Sequence, residues 1–210
     1  ILGASRPYLR SIETACEMGC WVLALDRNAA APGLKAADCG EVVDIIDAGS
    51  VLRAAKKHKV DGILALNDFG VPTAAKVANE LGLPGLSIES ARIATNKALM
   101  RHAWQGQSFN PDFRIVSALD EAKKAVQSLD RFPLVFKPTN SLGGGSRGVS
   151  RVDNASQVEA ALNFAQSFYA TPEVIIEHCV VGIEHSVETV TFNGETHILM
   201  ISDKEKTPPP

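Results

Sequence analysis

A predicted strand followed by a glycine-rich loop is the part of the sequence best suited to bind a phosphate group. The strand spans Leu134–Lys137. The loop that follows contains a set of small residues: Ser141, Gly143, Gly144, Gly145, Ser146 and Gly148. Glycine backbone N–H groups can approach an anion closely, and Lys137 adds a charge-assisted contact from the strand. The pattern therefore predicts a phosphate site, with a flexible surface hairpin as the structural alternative.

The spacing of the glycines also matches other phosphate-binding loops, which the surrounding sequence excludes. Gly143, Gly145 and Gly148 fit the dinucleotide fingerprint G-x-G-x-x-G, but that motif requires a helix directly after the loop. Here a second strand, Val149–Val152, is predicted instead. The sequence also lacks the His-Arg-Asp and Asp-Phe-Gly motifs of protein kinases and the P-loop motif G-x-x-x-x-G-K-[ST]. The loop is therefore predicted to connect two strands of one hairpin.

The first 90 residues alternate short apolar runs with helical patterns, which predicts a parallel sheet covered by helices. The predicted strands are Ile1–Leu2, Trp21–Leu25, Glu41–Ile46 and Gly62–Leu66, the last of them buried on both faces. The predicted helices include Ser50–His58 and Gly70–Leu81. In open sheets of this kind ligands bind at the carboxyl ends of the strands. Four polar residues are expected there, with helix capping as a simpler role: Ser5, Asp26, Asn67 and Asp68.

Beyond residue 90 the pattern changes to a small α+β unit. A helix is predicted from Ser90 through Arg101, with Lys97 on it. The predicted elements that follow are Phe113–Val116, Leu119–Leu129, Leu134–Lys137, Val149–Val152, Ala155–Phe168 and Val174–Glu177. Two further strands, Ser186–Phe192 and His197–Ile201, flank Asn193-Gly194, the dipeptide that best fits a type I′ hairpin turn.

The order of Lys97, Lys137 with its glycine loop, and Glu177 resembles the ATP-grasp superfamily. The segment 174–184 resembles the family's hinge, with Gly182 five and Glu184 seven positions after Glu177. The hinge spacing is most similar to that of L-amino acid ligases and carbamoyl phosphate synthetase-like proteins. The resemblance implies an α/β fold class: a Rossmann-like pre-ATP-grasp domain with a parallel sheet, then an α+β ATP-grasp domain that looks incomplete at its C-terminus.

The resemblance also implies domain limits and roles for individual residues. The implied domains are 1–90 (Rossmann-like), 91–132 (connecting helices and first strand), 133–182 (small subdomain with the glycine-rich lid) and 183–210 (start of the C-terminal subdomain). Lys97 and Lys137 would hold the ATP phosphates, with the loop closing over them. Glu177 and the backbone of Val180 would bind the adenine edge, and Glu184 the ribose hydroxyls. The alternatives are a solvated helix lysine at position 97 and ordinary strand-end charges at the two glutamates.

The family chemistry implies an ATP-dependent carboxylate–amine or carboxylate–thiol ligase that works through an acylphosphate. Small-molecule carboxylate and amine substrates, ATP and Mg²⁺ are the implied partners, with a homodimer as the oligomer to be tested. The catalytic residues and the Mg²⁺ ligands are expected beyond residue 210, so this chain alone is expected to bind nucleotide weakly without turnover. The competing hypothesis is a regulatory or interaction module that binds a nucleotide without catalysis.

Composition excludes several other classes of function. The net charge of −3 provides no basic excess to bind nucleic acid, and charges or prolines interrupt every apolar stretch that could span a membrane. The four cysteines include no C-x-x-C pair, which predicts a reducing, cytoplasmic setting. The histidines, His58 among them, show no metal-ligand spacing with acidic neighbours, so no protein metal site is predicted in the chain.

Overall fold

The computed structural model describes residues 1–140, 147–168 and 172–205. It divides into two compact units, Ile1–His178 and Cys179–Pro210. Residues 141–146 of the predicted phosphate loop lie outside the described residues, and they include five predicted ligands: Ser141, Gly143, Gly144, Gly145 and Ser146. No helix in the described part of the chain combines the length and the apolar character needed to cross a bilayer.

Eight α-helices and eight strands form the described parts of the two units. The helices are α1 Leu9–Glu17, α2 Gly33–Ala36, α3 Ala48–His58, α4 Val71–Leu81, α5 Ile88–Thr95, α6 Lys97–Ala103, α7 Leu119–Leu129 and α8 Val158–Gln166. The strands are β1 Leu23–Asp26, β2 Cys39–Val42, β3 Phe113–Val116, β4 Leu134–Pro138, β5 Ser150–Val152, β6 Val174–His178, β7 His185–Phe192 and β8 Glu195–Asp203.

A parallel pair, β1 and β2, forms the centre of the N-terminal part, as the alternating pattern predicts. Leu23 lies opposite Cys39 and Asp26 opposite Val42. Leu2 extends the pairing through isolated parallel bridges to Leu25 and Ala65. Apolar side chains from this sheet and from α3 and α4 share one buried cluster, formed by Leu2, Leu23, Leu25, Val51, Ala54, Ala55 and Val77. The predicted strands and helices of this region therefore pack together as an α/β layer.

Two of the strands predicted in this region are wrong in extent or type. The third predicted strand, Glu41–Ile46, instead begins at Cys39 and ends at Val42. The run Gly62–Leu66 forms no named strand among the described residues, since its hydrogen bonds to Leu2 involve only the carbonyl of Leu64 and the N–H of Leu66. Leu64 is also 54% exposed, so the run is not buried on both faces. Within the described chain the run therefore pairs with Leu2 only through the single bridge at Ala65, and its apolar composition did not determine the extent of pairing or burial.

An antiparallel sheet of four strands, in the order β3-β6-β4-β5, forms the rest of the first unit. Alternate residues of β4, such as Leu134 and Phe136, are fully buried, while Lys137 lies on the other face. Helices α7 and α8 contribute to the same buried cluster as Leu134 and Phe136. Helix α7 has the predicted bounds, whereas the predicted helix Ala155–Phe168 begins with a 3-10 turn and ends at Gln166.

The second unit contains the antiparallel hairpin of β7 and β8. His185 lies opposite Asp203, and the pairing continues to Phe192 opposite Glu195. Asn193 and Gly194 connect the strands with φ angles of 50° and 80°. Two consecutive positive φ angles define the type I′ geometry that the dipeptide predicts.

Gly40 provides a test of the packing around β2. A Cβ atom added at Gly40 would lie 2.1 Å from the carbonyl oxygen of Leu34, a backbone atom that cannot rotate away. We expect Gly40→Ala to lower the free energy of unfolding by about 1–3 kcal/mol in urea denaturation. Gly62→Ala is the matched control, because nothing lies within 4 Å of its added Cβ. Equal stabilities of the two variants would contradict this packing.

Candidate functional site

An interruption between two helices positions the first predicted phosphate ligand. The helix predicted to continue from Ser90 through Arg101 is wrong, because α5 ends at Thr95 and α6 begins at Lys97. Asn96 between them is extended, with φ −130° and ψ 114°. Its side-chain oxygen accepts hydrogen bonds from the N–H groups of Ala98 and Leu99 at 2.9 and 3.0 Å. Asn96 therefore caps a new helix, a local bond that competes with helix continuation.

The same interruption fixes α6 to the end of strand β4. The N–H of Lys97 donates to the carbonyl of Thr139 at 2.6 Å, and Asn96 forms an isolated antiparallel bridge with Asn140. Thr139 directly follows β4, the strand that carries Lys137. The backbone thus brings together two lysines that are forty positions apart in the sequence.

Strand register brings Lys137 to Glu177. Glu177 on β6 lies opposite Val135, so Lys137 is its diagonal neighbour on the same face of the sheet. The ammonium group of Lys137 forms a hydrogen-bonded ion pair with the Glu177 carboxylate. The Glu177 side chain is only 7% exposed and that of Lys137 is 16% exposed. The structure therefore brings together two of the residues that the resemblance assigns to nucleotide binding.

Arg101 is a member of this site that the sequence analysis did not identify. Its Nε donates to Oε2 of Glu177 at 2.8 Å and its second guanidinium nitrogen donates to Oε1 at 3.1 Å. Arg101 stands four residues after Lys97, and this spacing places both side chains on one face of α6. The spacing could have identified Arg101 from the sequence. We call Lys97, Arg101, Lys137 and Glu177 the cation cluster. Both oxygens of Glu177 are bonded to cations, so its side chain is already engaged.

Burial and charge act in opposite directions on the Glu177 carboxyl. Burial alone would raise its pKa, but the hydrogen bonds from Arg101 and the charge of Lys137 outweigh that effect, so the pKa of Glu177 lies below its usual value. For Lys97, burial and then repulsion by Lys137 lower the pKa of the ammonium group, while Asp68 and Glu177 partly oppose this. Two lysines that repel each other form a site that a polyanion stabilises.

The cation cluster has the charge that a polyphosphate requires. Arg101 and Lys137 pair with the Glu177 carboxylate. Lys97 is influenced by Lys137, Asp68 and Glu177. All three cationic side chains are shielded from bulk water to some degree. Charge-assisted bonds to phosphate are stronger in such partly desolvated places than at an open surface. The residues present therefore fit a nucleotide phosphate group.

The remaining predicted site residues lie in several places. Gly148, just before β5, has φ +71°, and an added Cβ would lie 2.9 Å from Cγ of Pro138. In the second unit Val180 is 79% exposed, and the Glu184 carboxylate accepts from Nζ of Lys204 at 2.6 Å. The roles assigned to Val180 and Glu184 stay predictions.

The crevice residues of the N-terminal sheet mostly stabilise the local backbone. Asp26 accepts from the N–H of Ala4 at 2.8 Å, and Asn67 accepts from the N–H of Gly70 at 3.0 Å, just before α4. The Asn67 bond closes the turn before α4 and is not a helix cap, because Gly70 is the N-cap residue and α4 has no side-chain cap. Asp68 is the exception, since its charge acts on Lys97.

A separate group of metal-binding residue types lies away from the cation cluster. Among the described residues, Cys39, Glu41 and His58 offer ligand atoms that all lie within 4.8 Å of one another. The prediction for His58 considered only ligand spacing along the sequence, and the structure places its Nε2 2.6 Å from Oε1 of Glu41. The residues are distant in sequence, and only the packing of α3 on β2 brings them together.

Family models match both parts of the chain. The model described as the ATP-grasp N-terminal domain matches residues 13–85, and the model described as the D-ala D-ala ligase C-terminus matches residues 110–206. The chain belongs to the ATP-grasp superfamily, as the order of its lysines and glycines indicated.

Three individual proteins illustrate this relationship. The formate-dependent phosphoribosylglycinamide formyltransferase of Synechococcus sp. (strain CC9605) is 30% identical over 87% of this chain and 47% of that protein. The L-amino acid ligase from Bacillus licheniformis has a TM-score of 0.77 at 23% identity, covering 100% of this chain and 50% of that one. The ADP complex of purK, an N5-carboxyaminoimidazole ribonucleotide synthetase, has a TM-score of 0.82 at 19% identity, covering 98% and 53%. This chain spans about half the length of each, and the two solved structures show its fold.

Removal of the Arg101 guanidinium should destabilise the cation cluster. Arg101→Met deletes two hydrogen bonds to a buried carboxylate, which we expect to cost about 1.5–3 kcal/mol in urea denaturation at neutral pH. The matched control is Arg92→Met, because Arg92 is 59% exposed and pairs with an exposed Glu89. Equal losses in the two variants would show that the Arg101–Glu177 contact contributes nothing.

Acid should remove the stability that Glu177 provides. Because its folded-state pKa lies below the usual 4.5, its contribution is complete above that pH and is lost as the pH falls through the folded-state value. We expect the difference in unfolding free energy between the parent and Glu177→Gln to be largest near pH 7 and to shrink below pH 4.5. Exposed Glu80→Gln should differ little from the parent at pH 7. A Glu177→Gln difference that does not change with pH would contradict the assignment.

Proposed function

We propose that the protein is an ATP-dependent ligase that joins a small-molecule carboxylate to an amine or a thiol. The observation that carries the proposal is the cation cluster, in which Lys97 and Lys137 converge from α6 and β4, the strand that the glycine-rich segment follows in the sequence. The names of the relatives support it, since they include an L-amino acid ligase and a synthetase solved with ADP.

In this proposal the two lysines bind the phosphates of ATP, and the loop 141–148 closes over them through its backbone N–H groups. Glu177 acts by holding Lys137 and Arg101 in place, since both of its oxygens already accept from them. The backbone of Val180 would bind the adenine edge, and Glu184 would accept from the ribose hydroxyls, whereas the backbone of Glu177 is already paired with β3 and β4. Adenine can be bound in this way because its edge offers a donor and an acceptor side by side.

The proposed reaction has two steps. The substrate carboxylate attacks the γ-phosphate of ATP, forming an acylphosphate and ADP, and the amine or thiol then displaces phosphate. Lys97 and Lys137 offset the repulsion among the negatively charged phosphates and hold them in place. Mg²⁺, when bound with the nucleotide, would supply positive charge that offsets the negative charge of the phosphates. Among the described residues no group of three or more acidic, histidine or cysteine side chains lies at the cation cluster, so we assign no step to a metal held there.

We also propose a reducing, cytoplasmic setting for the protein. All four cysteines, Cys16, Cys20, Cys39 and Cys179, are free thiols, which is typical of such a compartment.

Nucleotide affinity tests the assignment of Lys137. Lys137→Ala removes one charge-assisted contact to phosphate, which should weaken ADP binding about ten- to a hundredfold in calorimetry. Lys124→Ala, on the exposed face of α7, is the matched control and should leave the affinity unchanged. Circular dichroism establishes that both variants are folded. Equal ADP affinity in the two variants would remove Lys137 from the site.

Turnover separates the ligase from a nucleotide-binding module without catalysis. We expect multiple-turnover ADP formation by the intact protein to require both a carboxylate and an amine or thiol, when a panel of amino acids and related acids is supplied with ATP and Mg²⁺. Both are required because the acylphosphate of the first step must be consumed before the next ATP is used. Nucleotide binding that depends on Lys137, without ADP formation under any combination, would favour the non-catalytic alternative.

A further inference from the structure

Strand β2 and the end of helix α3 bring a thiol, a carboxylate and an imidazole together. Cys39 and Glu41 are two residues apart on the strand, so their side chains point to the same face. His58 is the last residue of α3. Its Nε2 lies 2.6 Å from Oε1 of Glu41 and 4.0 Å from Sγ of Cys39. All three ligand atoms lie within 4.8 Å of one another.

The surroundings hold the imidazole in a fixed position. The ring of Trp21 stacks on that of His58 with centroids 5.6 Å apart and an interplanar angle of 28°. The side chains of His58 and Glu41 are 17% and 24% exposed, so the group is partly shielded but open on one side. A site of this kind can lose water from its ligands and still admit an ion from solution.

The geometry is close to that of a tetrahedral zinc site. Zinc binds cysteine sulfur at about 2.3 Å and histidine nitrogen and carboxylate oxygen at about 2.0–2.2 Å, which places ligand atoms roughly 3.3–3.7 Å apart. The present Nε2–Oε1 distance of 2.6 Å would have to widen and the Sγ–Nε2 distance of 4.0 Å to shorten, each by less than about 1 Å. Side-chain rotation alone can produce shifts of that size.

The types of ligand select the ion. A thiolate and an imidazole favour Zn²⁺ over Mg²⁺ or Ca²⁺, which prefer oxygen ligands. We propose that Cys39, Glu41 and His58 bind a zinc ion that fastens β2 to α3, with water in the fourth position. Binding releases the proton of the Cys39 thiol to solvent, and the proton that Nε2 of His58 donates to Glu41 is exchanged for one on Nδ1, which leaves the Nε2 lone pair free for the ion. The site is independent of the proposed nucleotide site.

Lys57 provides the sharpest test, because it competes with the ion. Its ammonium group donates to the same Oε1 of Glu41 at 2.6 Å and is itself 65% exposed. An exposed ion pair is weak and can be displaced by a divalent cation. Removal of the Lys57 ammonium group should therefore strengthen zinc binding.

Cobalt titration measures the site directly, because Co²⁺ bound to a thiolate produces a near-ultraviolet charge-transfer band. We expect the band in the parent protein. It should disappear when Zn²⁺ displaces Co²⁺, and it should be absent in Cys39→Ser. Cys16→Ser, which removes another partly buried thiol, is the matched control and should keep the band. Zinc affinity, measured by competition with a chromophoric chelator, should fall at least about tenfold in His58→Gln and rise about two- to fivefold in Lys57→Ala.

Tryptophan fluorescence gives a second readout. Trp104→Phe leaves Trp21 as the single tryptophan of the chain, and zinc should change its emission because Trp21 stacks on His58. The melting temperature should rise with zinc concentration in the parent and not in Cys39→Ser. A charge-transfer band that persists in Cys39→Ser, or a Lys57→Ala variant that binds zinc no more tightly than the parent, would overturn the proposal.

Discussion

The Glu177 carboxylate is buried, and a buried charge is stable only when cations and hydrogen bonds replace the water it has lost. Arg101 and Lys137 supply both, and they come from α6 and β4, whereas Glu177 stands on β6. Three elements are thereby fixed by a single carboxylate. Lys97 lies close enough to Lys137 for the two ammonium groups to repel each other, so the same arrangement has the kind of charge that a phosphate requires. The interaction that stabilises the fold also prepares the candidate phosphate site.

The position of Lys97 depends on a competition between local bonds. A continuous helix would satisfy the backbone of residues 95–98 internally. The Asn96 side chain instead caps α6, and the backbone of residues 96 and 97 pairs with residues 139 and 140. These bonds offset the helical hydrogen bonds that are lost at the interruption. As a result, Lys97 on α6 becomes a neighbour of β4, the strand that precedes the glycine-rich segment.

The two groups of charged residues in the first unit differ chiefly in burial. At the cation cluster the Glu177 carboxylate is 7% exposed, and the side chain of its partner Arg101 is only 16% exposed. At β2 and α3 the Glu41 carboxylate is 24% exposed and its partner Lys57 is 65% exposed, so that pair is screened by water. In the proposed zinc site a divalent cation therefore replaces Lys57 at Glu41, whereas the buried pair of Arg101 and Glu177 stays intact. Position in the fold, more than residue type, decides which ion pairs are permanent.

The sequence by itself determined the features that depend on near neighbours. The periodicity of helix α7 and the Asn193-Gly194 turn follow from backbone preferences over a few residues, and the spacing of lysines and glycines indicated the superfamily. Tertiary structure alone decided the contacts between distant residues. Arg101 meets Glu177 across 76 positions, and His58 meets Glu41 across 17. It also decided that Gly62–Leu66 does not form a strand. Such contacts depend on strand register and helix packing, which minimise the free energy of the whole chain rather than of any local segment.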